Sequence, residues 1–303
     1  MDGRANPATI GAMNQSRMPH RRPSAPSAIL PAGACDAHFH MFGDPAEFPL
    51  WEGRSESPAP GTLDDWVERV KTHLETLGFA RGVLIQSLMY GNDNSVTTAA
   101  LKRLGRKNFR AVGLVPADAD GATLDALKAE GYAGIRLNYD RWGIFAFDAV
   151  AGLADRLAER DMHIQMLLQA PQHMAAAGQL IRRLPVPVVI DHIAQPDIAA
   201  GIDAPGFALL RQLVAEGLVH VKLSALFRSA ESPYTDADPF VAALVAANPE
   251  RCLWGSDWPH IMLGERPMPD AGHLLDAFLR VVPDPPARQQ ILVANPARLY
   301  GFA

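Results

Sequence analysis

Short apolar segments alternate with amphipathic ones from residue 35 to the end of the chain. The apolar segments are three to eight residues long and rich in Val, Ile, Leu and Met, which is typical of parallel strands buried on both faces. They predict eight strands, at residues 35–42, 82–86, 110–115, 134–138, 163–168, 186–191, 219–223 and 252–254.

The amphipathic segments between these strands predict helices. The clearest begins at Thr62, where Asp65 completes a variant of the capping box, and it ends at Gly78. Its apolar residues recur at helical spacing: Leu63, Trp66, Val67, Val70, Leu74 and Leu77. Further helices are predicted at residues 94–104, 123–130, 147–160, 172–184, 205–216, 238–247, 271–282 and 286–294.

The alternation of strand and helix predicts a parallel α/β fold. Eight units in roughly 270 residues match a closed (β/α)₈ barrel of the TIM type. A doubly wound open sheet is the alternative, but no Gly-rich fingerprint follows the first strand. We therefore predict one barrel domain over residues 31–303. Residues 1–30, rich in Pro, Ser and Ala, are predicted to be a flexible tail.

Composition and charge exclude several classes of partner. The formal net charge is −5 and no basic stripe is present, which argues against a nucleic-acid partner. No apolar run approaches the ~20 residues that span a bilayer, and no apolar stretch follows Arg21-Arg22 as a twin-arginine signal requires. Cys35 and Cys252 are too few for a disulfide framework, so we expect reduced thiols in a cytoplasmic protein.

Histidines occur at the ends of two predicted strands, which is where a barrel of this kind holds its active site. His38 and His40 end the first strand, and His192 closes the sixth. Such imidazoles can bind a divalent metal or hold a carbonyl oxygen, although His192 alone could equally be a structural residue. Strand alternation places His38 and His40 on one face and turns three residues towards the helices: Cys35, Ala37 and Phe39.

Asp257 lies at the end of the eighth strand. Gly255 lets the backbone bend before it, and Trp258-Pro259 follows it in place of a helix that the carboxylate could cap. An unpaired carboxylate at the rim is costly unless water, a metal or a cation uses it. We therefore predict that Asp257 is catalytic.

Other polar residues near the strand ends are candidates for binding a ligand. Arg136 lies in an otherwise apolar fourth strand, where a guanidinium needs an anionic partner. Arg228 follows the seventh strand and is either a solvated loop residue or a ligand contact, and Lys222 in that strand can face inward. The loop after the second strand carries Tyr90 and Asn94, which can cap a helix and contact a ligand.

Taken together, these motifs resemble those of the amidohydrolase-2 family, in the branch that holds 2-pyrone-4,6-dicarboxylate lactonase and sugar-acid lactonases. The resemblance covers residues 35–302 and implies that Asp257 is the general base that activates water. It also implies that His38, His40 and His192 polarise or position a lactone carbonyl. The motifs are His38-x-His40, Gly134-Ile-Arg136, Val189-Ile-Asp-His192, Trp254-Gly-Ser-Asp-Trp-Pro-His260 and Asn295-Pro-Ala-Arg-Leu-Tyr300.

The resemblance further implies how a substrate binds. Arg136 and Arg228 match positions that bind substrate carboxylates, so the expected ligand is a small anionic lactone. The tyrosines that contact substrate in the pyrone lactonase are absent from residues 48–51 and from the fifth strand, where Gln165 is closer to the sugar-lactone relatives. Members of this branch work without a metal, so no cofactor is expected, whereas the wider superfamily holds zinc or manganese on the H-x-H pair.

Two other function classes stay open. The first is a metal-dependent decarboxylase or amide hydrolase in which His38, His40, His192 and Asp257 are the metal ligands. The second is a non-catalytic barrel that binds a small molecule, although such a barrel has no reason to keep a costly inward carboxylate. The sequence leaves open the exact substrate and whether the chain forms a homo-oligomer.

Overall fold

The computed structural model describes residues 14–138 and 147–302. Within these ranges eight strands form one parallel sheet in chain order. The strands are β1 (Cys35–Phe39), β2 (Arg81–Ile85), β3 (Phe109–Gly113), β4 (Tyr132–Asn138), β5 (His163–Leu167), β6 (Val188–Ile190), β7 (Val219–Ser224) and β8 (Cys252–Gly255).

Helices connect successive strands and cover the outside of the sheet. They are α1 (Leu63–Leu77), α2 (Ser95–Leu104), α3 (Gly121–Glu130), α4 (Phe147–Ala158), α5 (Ala170–Ile181), α6 (Pro205–Ala215), α7 (Asp238–Ala247), α8 (Ala271–Val281), α9 (Pro285–Gln289) and α10 (Asn295–Tyr300). No helix in the described ranges is both long enough and apolar enough to cross a bilayer.

The first and last strands close the sheet into a barrel. The Asp257 amide donates to the His38 carbonyl at 2.9 Å, and the His40 amide donates to the Trp258 carbonyl at 2.8 Å. Phe39 and Trp258 are paired as a parallel bridge at the same point. The predicted (β/α)₈ barrel is therefore confirmed, and the open doubly wound sheet is excluded.

Two apolar layers lie on either side of the strands. Small and branched residues from six strands contact one another in the barrel interior, where Tyr300 and Phe302 join them: Cys35, Ala37, Val83, Ile85, Val112, Ala133, Val189 and Leu253. A larger cluster joins the opposite faces of the strands to the helices.

A β-bulge in β1 corrects the predicted facing of that strand. Asp36 and Phe39 are three positions apart in the chain, whereas their partners Gly82 and Leu84 are two apart, so β1 holds one extra residue. The extra residue changes the phase of the side chains. As a result Cys35 and Ala37 face the interior with the histidines, instead of the helices as simple alternation predicts.

Local signals in the sequence place most helix ends. The capping box of Thr62 and Asp65 is present, and Gly78 ends α1 in the left-handed conformation at φ 86°. The predicted last helix, at 286–294, is wrong in extent: α9 is followed by a π-helical turn at Gln290–Ala294 and then by α10. Pro296 at the start of α10 is tolerated because the first helical turn needs no amide partner there.

The tail predicted at residues 1–30 lies partly outside the described residues. Its described part, residues 14–30, packs along the barrel: the Ser16 amide donates to the Ser57 carbonyl at 2.8 Å, and the Ser24 hydroxyl donates to Asp270 at 2.8 Å. The Ser27 amide also donates to Asp276, at 2.7 Å. These partners lie more than 40 residues away in sequence, so composition alone does not reveal them.

Candidate active site

A cavity opens at the carboxyl ends of the barrel strands, where the fold class places catalytic sites. Five residues predicted for function line it: His40, Arg136, His192, Arg228 and Asp257. Its remaining wall is formed by Arg54, Ser55, Glu56, Ser87, Leu88, Met89, Asn138, Leu167, Gln195, Ile261 and Met262.

The Asp257 carboxylate is the centre of the site. Its Oδ2 accepts a hydrogen bond from Arg228 Nη2 at 2.9 Å. Its Oδ1 lies 3.5 Å from His38 Nε2, 3.4 Å from His40 Nε2 and 3.7 Å from His192 Nε2. Both Oδ1 and His38 Nε2 are buried without a hydrogen-bond partner among the described residues. Asp257 Oδ1 therefore lies among three imidazoles and is free to accept a proton.

Backbone contacts between β1 and β8 hold Asp257 in place. Asp257 has a left-handed φ of 57°, which a non-glycine residue adopts only when its surroundings require it. The buried carboxylate of Asp36 braces this turn, since its Oδ1 accepts from the Ser256 amide at 2.9 Å and from the His38 amide at 3.1 Å. Asp36 thereby links the bulge in β1 to the residue that precedes Asp257.

The three histidines differ in the partner of Nδ1. His40 Nδ1 lies 2.8 Å from the Ile85 carbonyl oxygen, which can only accept, so this nitrogen carries a proton. His192 Nδ1 lies 2.8 Å from the Ser224 hydroxyl, which can donate or accept. His38 Nδ1 lies 3.2 Å from Lys222 Nζ. The rings are therefore not equivalent, although each directs Nε2 towards the same oxygen.

A buried ionic layer supports the histidines from below. Asp191 Oδ2 accepts from Arg136 Nε at 2.9 Å and from Gln165 Nε2 at 3.0 Å, while its Oδ1 lies 3.2 Å from His38 Nδ1. Lys222 Nζ donates to Gln165 Oε1 at 2.7 Å. This layer separates the apolar interior of the barrel from the cavity.

Burial and charge set the protonation states of the site. Burial lowers the pKa of His192 to about 4, and burial together with Lys222 holds the pKa of His38 well below its usual value. Burial alone would raise the pKa of Asp257, but His192 and Arg228 hold it well below its usual range. At neutral pH Asp257 is therefore a carboxylate that faces neutral imidazoles of His38 and His192.

The buried charges below the cavity are shifted in the same way. Burial favours the neutral form of Asp191, yet Arg136, His38 and Lys222 hold the pKa of its carboxyl well below the usual value. Burial lowers the pKa of Lys222 to about 8, and Asp191 limits that fall. Lys222 and Asp191 are thus both charged at neutral pH.

Three guanidiniums face the cavity with different partners. Arg136 is paired with Asp191 and Arg228 with Asp257, so each already has a carboxylate. Arg54 donates only to neutral oxygens, the Ser57 hydroxyl at 3.0 Å and the Trp51 carbonyl at 2.8 Å. No carboxylate within the described ranges pairs with Arg54. The Arg54 guanidinium is therefore a cation of the outer wall that has no carboxylate partner in the described ranges.

Three predicted substrate contacts lie outside the cavity wall. The Tyr90 hydroxyl accepts from the Gly43 amide at 3.1 Å, and burial raises the pKa of Tyr90 to about 12. Asn94 braces the end of β3, where its side-chain oxygen accepts from the Leu114 amide at 2.9 Å. Gln165 is fully buried between Asp191 and Lys222. In this structure the polar atoms of these residues bind other groups of the protein.

Sequence reasoning missed part of the wall and most of the supporting layer. The strand pattern indicates only that Lys222 can face inward, and it does not pair Lys222 with Asp191. An aspartate and a lysine in apolar strands of one barrel are the signal that could have paired them, because buried charges need partners. Arg54 and Glu56 belong to an irregular loop, which carries no periodic signal.

Two overlapping groups of side chains could hold a metal ion within the described part of the chain: His38 with His40 and Asp257, and His38 with Asp191 and His192. His40 is suited to bind a metal. Its Nδ1–H donates to the Ile85 carbonyl, so in the neutral ring Nε2 carries the lone pair that a metal needs. His38 differs, because its Nδ1 lies 3.2 Å from Lys222 Nζ, a donor, and 3.2 Å from Asp191 Oδ1, an acceptor. Both groups include His38.

Comparison with known proteins shows which sequences and folds this chain is similar to. A family profile of amidohydrolases matches residues 35–302. The chain is 36% identical to 4-sulfomuconolactone hydrolase of Rhizobium radiobacter, over 97% of this chain and 99% of that protein. It is 34% identical to 2-pyrone-4,6-dicarboxylate hydrolase of Comamonas testosteroni, over 93% of this chain and 94% of that protein.

Solved structures agree on the fold. A crystal structure of a protein from Agrobacterium tumefaciens superposes with a TM-score of 0.81, covering 92% of this chain and 99% of that one. The two chains are 24% identical, so this likeness bears on the fold alone.

Proposed function

Because the chain belongs to the amidohydrolase family, we propose that it is a hydrolase that opens a carboxylate-bearing lactone, with Asp257 as the general base. One observation carries the proposal: Asp257 Oδ1 is buried, has no hydrogen-bond partner among residues 14–138 and 147–302, and lies 3.4–3.7 Å from three imidazole nitrogens. An ionised oxygen of this kind is costly unless water or substrate completes its hydrogen bonds. The relatives named as hydrolases of a muconolactone and of a pyrone dicarboxylate support the cyclic ester as substrate.

Substrate binding depends on the arginines of the wall. The acidic group of the lactone pairs with Arg136, whose Nε alone is bound to Asp191, and with Arg228. Arg228 also donates to Asp257, so an arriving carboxylate competes for this guanidinium. The competition weakens the pairing that lowers the pKa of Asp257 and makes the carboxylate a stronger base when substrate is bound.

The chemistry follows from the arrangement around Asp257. A water beside Oδ1 gives its proton to the carboxylate while its oxygen adds to the lactone carbonyl carbon. The Nε2–H group of His38 donates to the carbonyl oxygen as negative charge develops on it. The ring C–O bond then breaks, and Asp257 returns the proton to the leaving alkoxide. The product is an open hydroxy acid, and no other reactant is needed.

A panel of lactones tests the proposal. We expect turnover of pyrone dicarboxylates, muconolactones or acidic aldonolactones, detected with a pH indicator, and far slower turnover of neutral lactones of the same ring size. If methylation of the substrate carboxylate lowers the turnover rate to that of the neutral lactones, the enzyme recognises the anionic group. Equal rates for neutral and acidic lactones, or no turnover of any lactone, would contradict the proposal.

A metal-dependent decarboxylase or amide hydrolase is the second candidate, favoured by the metal-ligand geometry of His40. In that case His38, His40, His192 and Asp257 would hold a divalent zinc or manganese ion, which polarises the substrate carbonyl and acidifies bound water. Elemental analysis of protein purified without chelator separates the candidates. Stoichiometric metal together with loss of activity after dialysis against chelator would favour the second.

We also propose a cytoplasmic location for the protein. Cys35 and Cys252 are both buried and unpaired, as expected for thiols kept in a reducing compartment. Cell fractionation with an epitope-tagged chain tests this, and recovery in a periplasmic or membrane fraction would overturn it. Assembly into a homo-oligomer stays a prediction, which size-exclusion chromatography with light scattering can test.

A further inference from the structure

Lys222 is a fully buried lysine beneath the cavity that the proposed hydrolysis leaves unused. Its ammonium lies 2.7 Å from Gln165 Oε1, 3.2 Å from His38 Nδ1 and 3.6 Å from Asp191 Oδ1. Lysine is almost never fully buried unless it is paired, because the ammonium loses its hydration. Lys222 is paired here with Asp191 in the ionic layer, and its ammonium also reaches a histidine of the site above that layer.

The contact with Lys222 fixes the position of the proton on His38. An ammonium can only donate, so His38 Nδ1 must accept, and a neutral His38 then carries its proton on Nε2. Asp191 Oδ1 competes for the same nitrogen from 3.2 Å, where it would favour a proton on Nδ1. That oxygen, however, makes no hydrogen bond among the described residues. We therefore assign the contact at Nδ1 to a hydrogen bond that Lys222 donates, which places the His38 proton on Nε2.

The neighbouring His40 has the opposite arrangement. Its Nδ1 donates to the Ile85 carbonyl at 2.8 Å, which leaves a lone pair on Nε2 when the ring is neutral. His38 and His40 thus offer one N–H group and one lone pair around Asp257 Oδ1. A divalent metal needs lone pairs from both rings, whereas a carbonyl oxygen needs the N–H group.

We propose that Lys222 is a positioning residue that holds His38 in the Nε2–H tautomer, so that His38 donates to the substrate carbonyl and cannot ligate a divalent metal. The donation to a carbonyl rests on the proposed function, but the tautomer and the poor metal affinity are properties of the free protein. Without the ammonium, His38 Nδ1 is free to donate to Asp191. The proton then leaves Nε2, and two lone pairs face Asp257.

The wild-type protein gives the first test, which needs no variant and no substrate. Histidine labelled with ¹⁵N reports by NMR which ring nitrogen is protonated, and a His38→Gln spectrum assigns the signal. We expect His38 with a protonated Nε2 and an unprotonated Nδ1, and His40 in the opposite tautomer. A protonated Nδ1 on His38 overturns the proposal.

Lys222→Met gives the second test, because methionine fills a similar volume in the barrel interior. We expect the His38 proton to move to Nδ1 and the affinity for added Zn²⁺ to rise roughly 10–100-fold. Mutations of residues that hydrogen-bond to a metal ligand typically change the affinity by this factor. With the lactone substrate, kcat should fall roughly 10²–10³-fold, as when one donor to a developing oxyanion is lost.

Gln165→Leu is the matched control, since it removes a neutral partner of the same ammonium and does not touch His38. It also removes one donor to Asp191 Oδ2, which still accepts from Arg136. It should leave the His38 tautomer and the Zn²⁺ affinity as in the wild type. If Lys222→Met loses activity with an unchanged tautomer and unchanged Zn²⁺ affinity, Lys222 is only structural and the proposal fails. If no lactone is turned over but the tautomer moves as expected, the proposed function fails and the positioning role stands.

Discussion

At the scale of single residues, the partners of individual atoms decide what each side chain can do. Asp257 Oδ2 accepts from Arg228, whereas Oδ1 has no hydrogen bond within the described part of the chain. Gln165 and Tyr90 are equally polar, but their side chains are bound to the protein and do not line the cavity. A free polar atom beside a cavity, and not polarity as such, marks a residue as available for chemistry.

Asp257→Asn tests the central residue. The amide keeps the shape of the carboxylate but cannot take a proton, so kcat should fall roughly 10²–10⁴-fold, the usual contribution of a general base. KM should change only a few-fold, because the arginines that bind the substrate remain. Steady-state kinetics measure both, with circular dichroism as the check of folding. A variant with near wild-type kcat would exclude Asp257 as the base.

Arg54→Ala tests the guanidinium that has no carboxylate partner among the described residues. A charge-assisted hydrogen bond contributes about 1.5–3 kcal/mol, so losing one should raise KM roughly tenfold or more for a lactone with two anionic groups. A lactone with one anionic group should be affected much less, since Arg136 and Arg228 remain. Arg106→Ala, which alters an exposed arginine near Glu130, is the control and should leave both KM values unchanged.

At the scale of elements, irregular segments place the functional atoms. The bulge in β1 lets Cys35 and Ala37 fill the barrel interior while His38 and His40 still face the cavity. The loop that carries Arg54 and Glu56 is held from outside by residues 14–17, which pair with Ser57 as a short parallel bridge. The regular strands form the barrel, whereas the bulge and the loop position side chains of the site.

Ser16→Pro tests whether residues 14–17 position this loop. Proline removes the amide that donates to the Ser57 carbonyl at 2.8 Å and disturbs the adjacent pairing. We expect KM to rise several-fold while kcat and the thermal midpoint stay close to wild type, because the barrel core is untouched. Ser16→Ala keeps the amide and should have a smaller effect. Equal KM values in all three proteins would show that the loop holds its conformation unaided.

At the scale of the whole molecule, the barrel buries many ionisable groups that exist in fixed protonation states. Burial lowers the pKa of His163, His220 and His260 to about 3 and that of His192 to about 4, and His38 is shifted in the same direction. These histidines are therefore neutral in the folded protein, whereas in the unfolded chain water surrounds them and they take up protons near their ordinary pKa. This difference makes stability depend on pH.

The free energy of unfolding should fall as the pH drops from about 6.5 to about 4. In this window the unfolded chain takes up protons near the ordinary histidine pKa and the folded chain does not, so acid favours unfolding. Each such histidine contributes a slope of about 1.4 kcal/mol per pH unit. Urea unfolding at several pH values measures the slope, and a flat profile would contradict the prediction.

His220→Gln is the matched control for this slope. His220 lies in β7, away from the cavity wall, where Arg251 Nη1 approaches its Nε2 at 3.4 Å. Glutamine can accept from the same arginine but does not titrate. The pH dependence of the free energy of unfolding should therefore decrease by the contribution of one histidine, about 1.4 kcal/mol per pH unit. The kinetic constants should not change, which separates the effect on stability from any effect on the site.

The sequence by itself determined the order of the elements, the closure of eight strands into a barrel and the polar residues at the strand ends. These features are periodic or local, as the capping box at Thr62 and the rim position of Asp257 show. Only the tertiary structure decided the facing of Cys35 and Ala37, the wall position of Arg54 and the contact of Lys222 with His38. One extra residue reverses the facing of a strand, and Lys222 and His38 are 184 positions apart, so no local pattern records either.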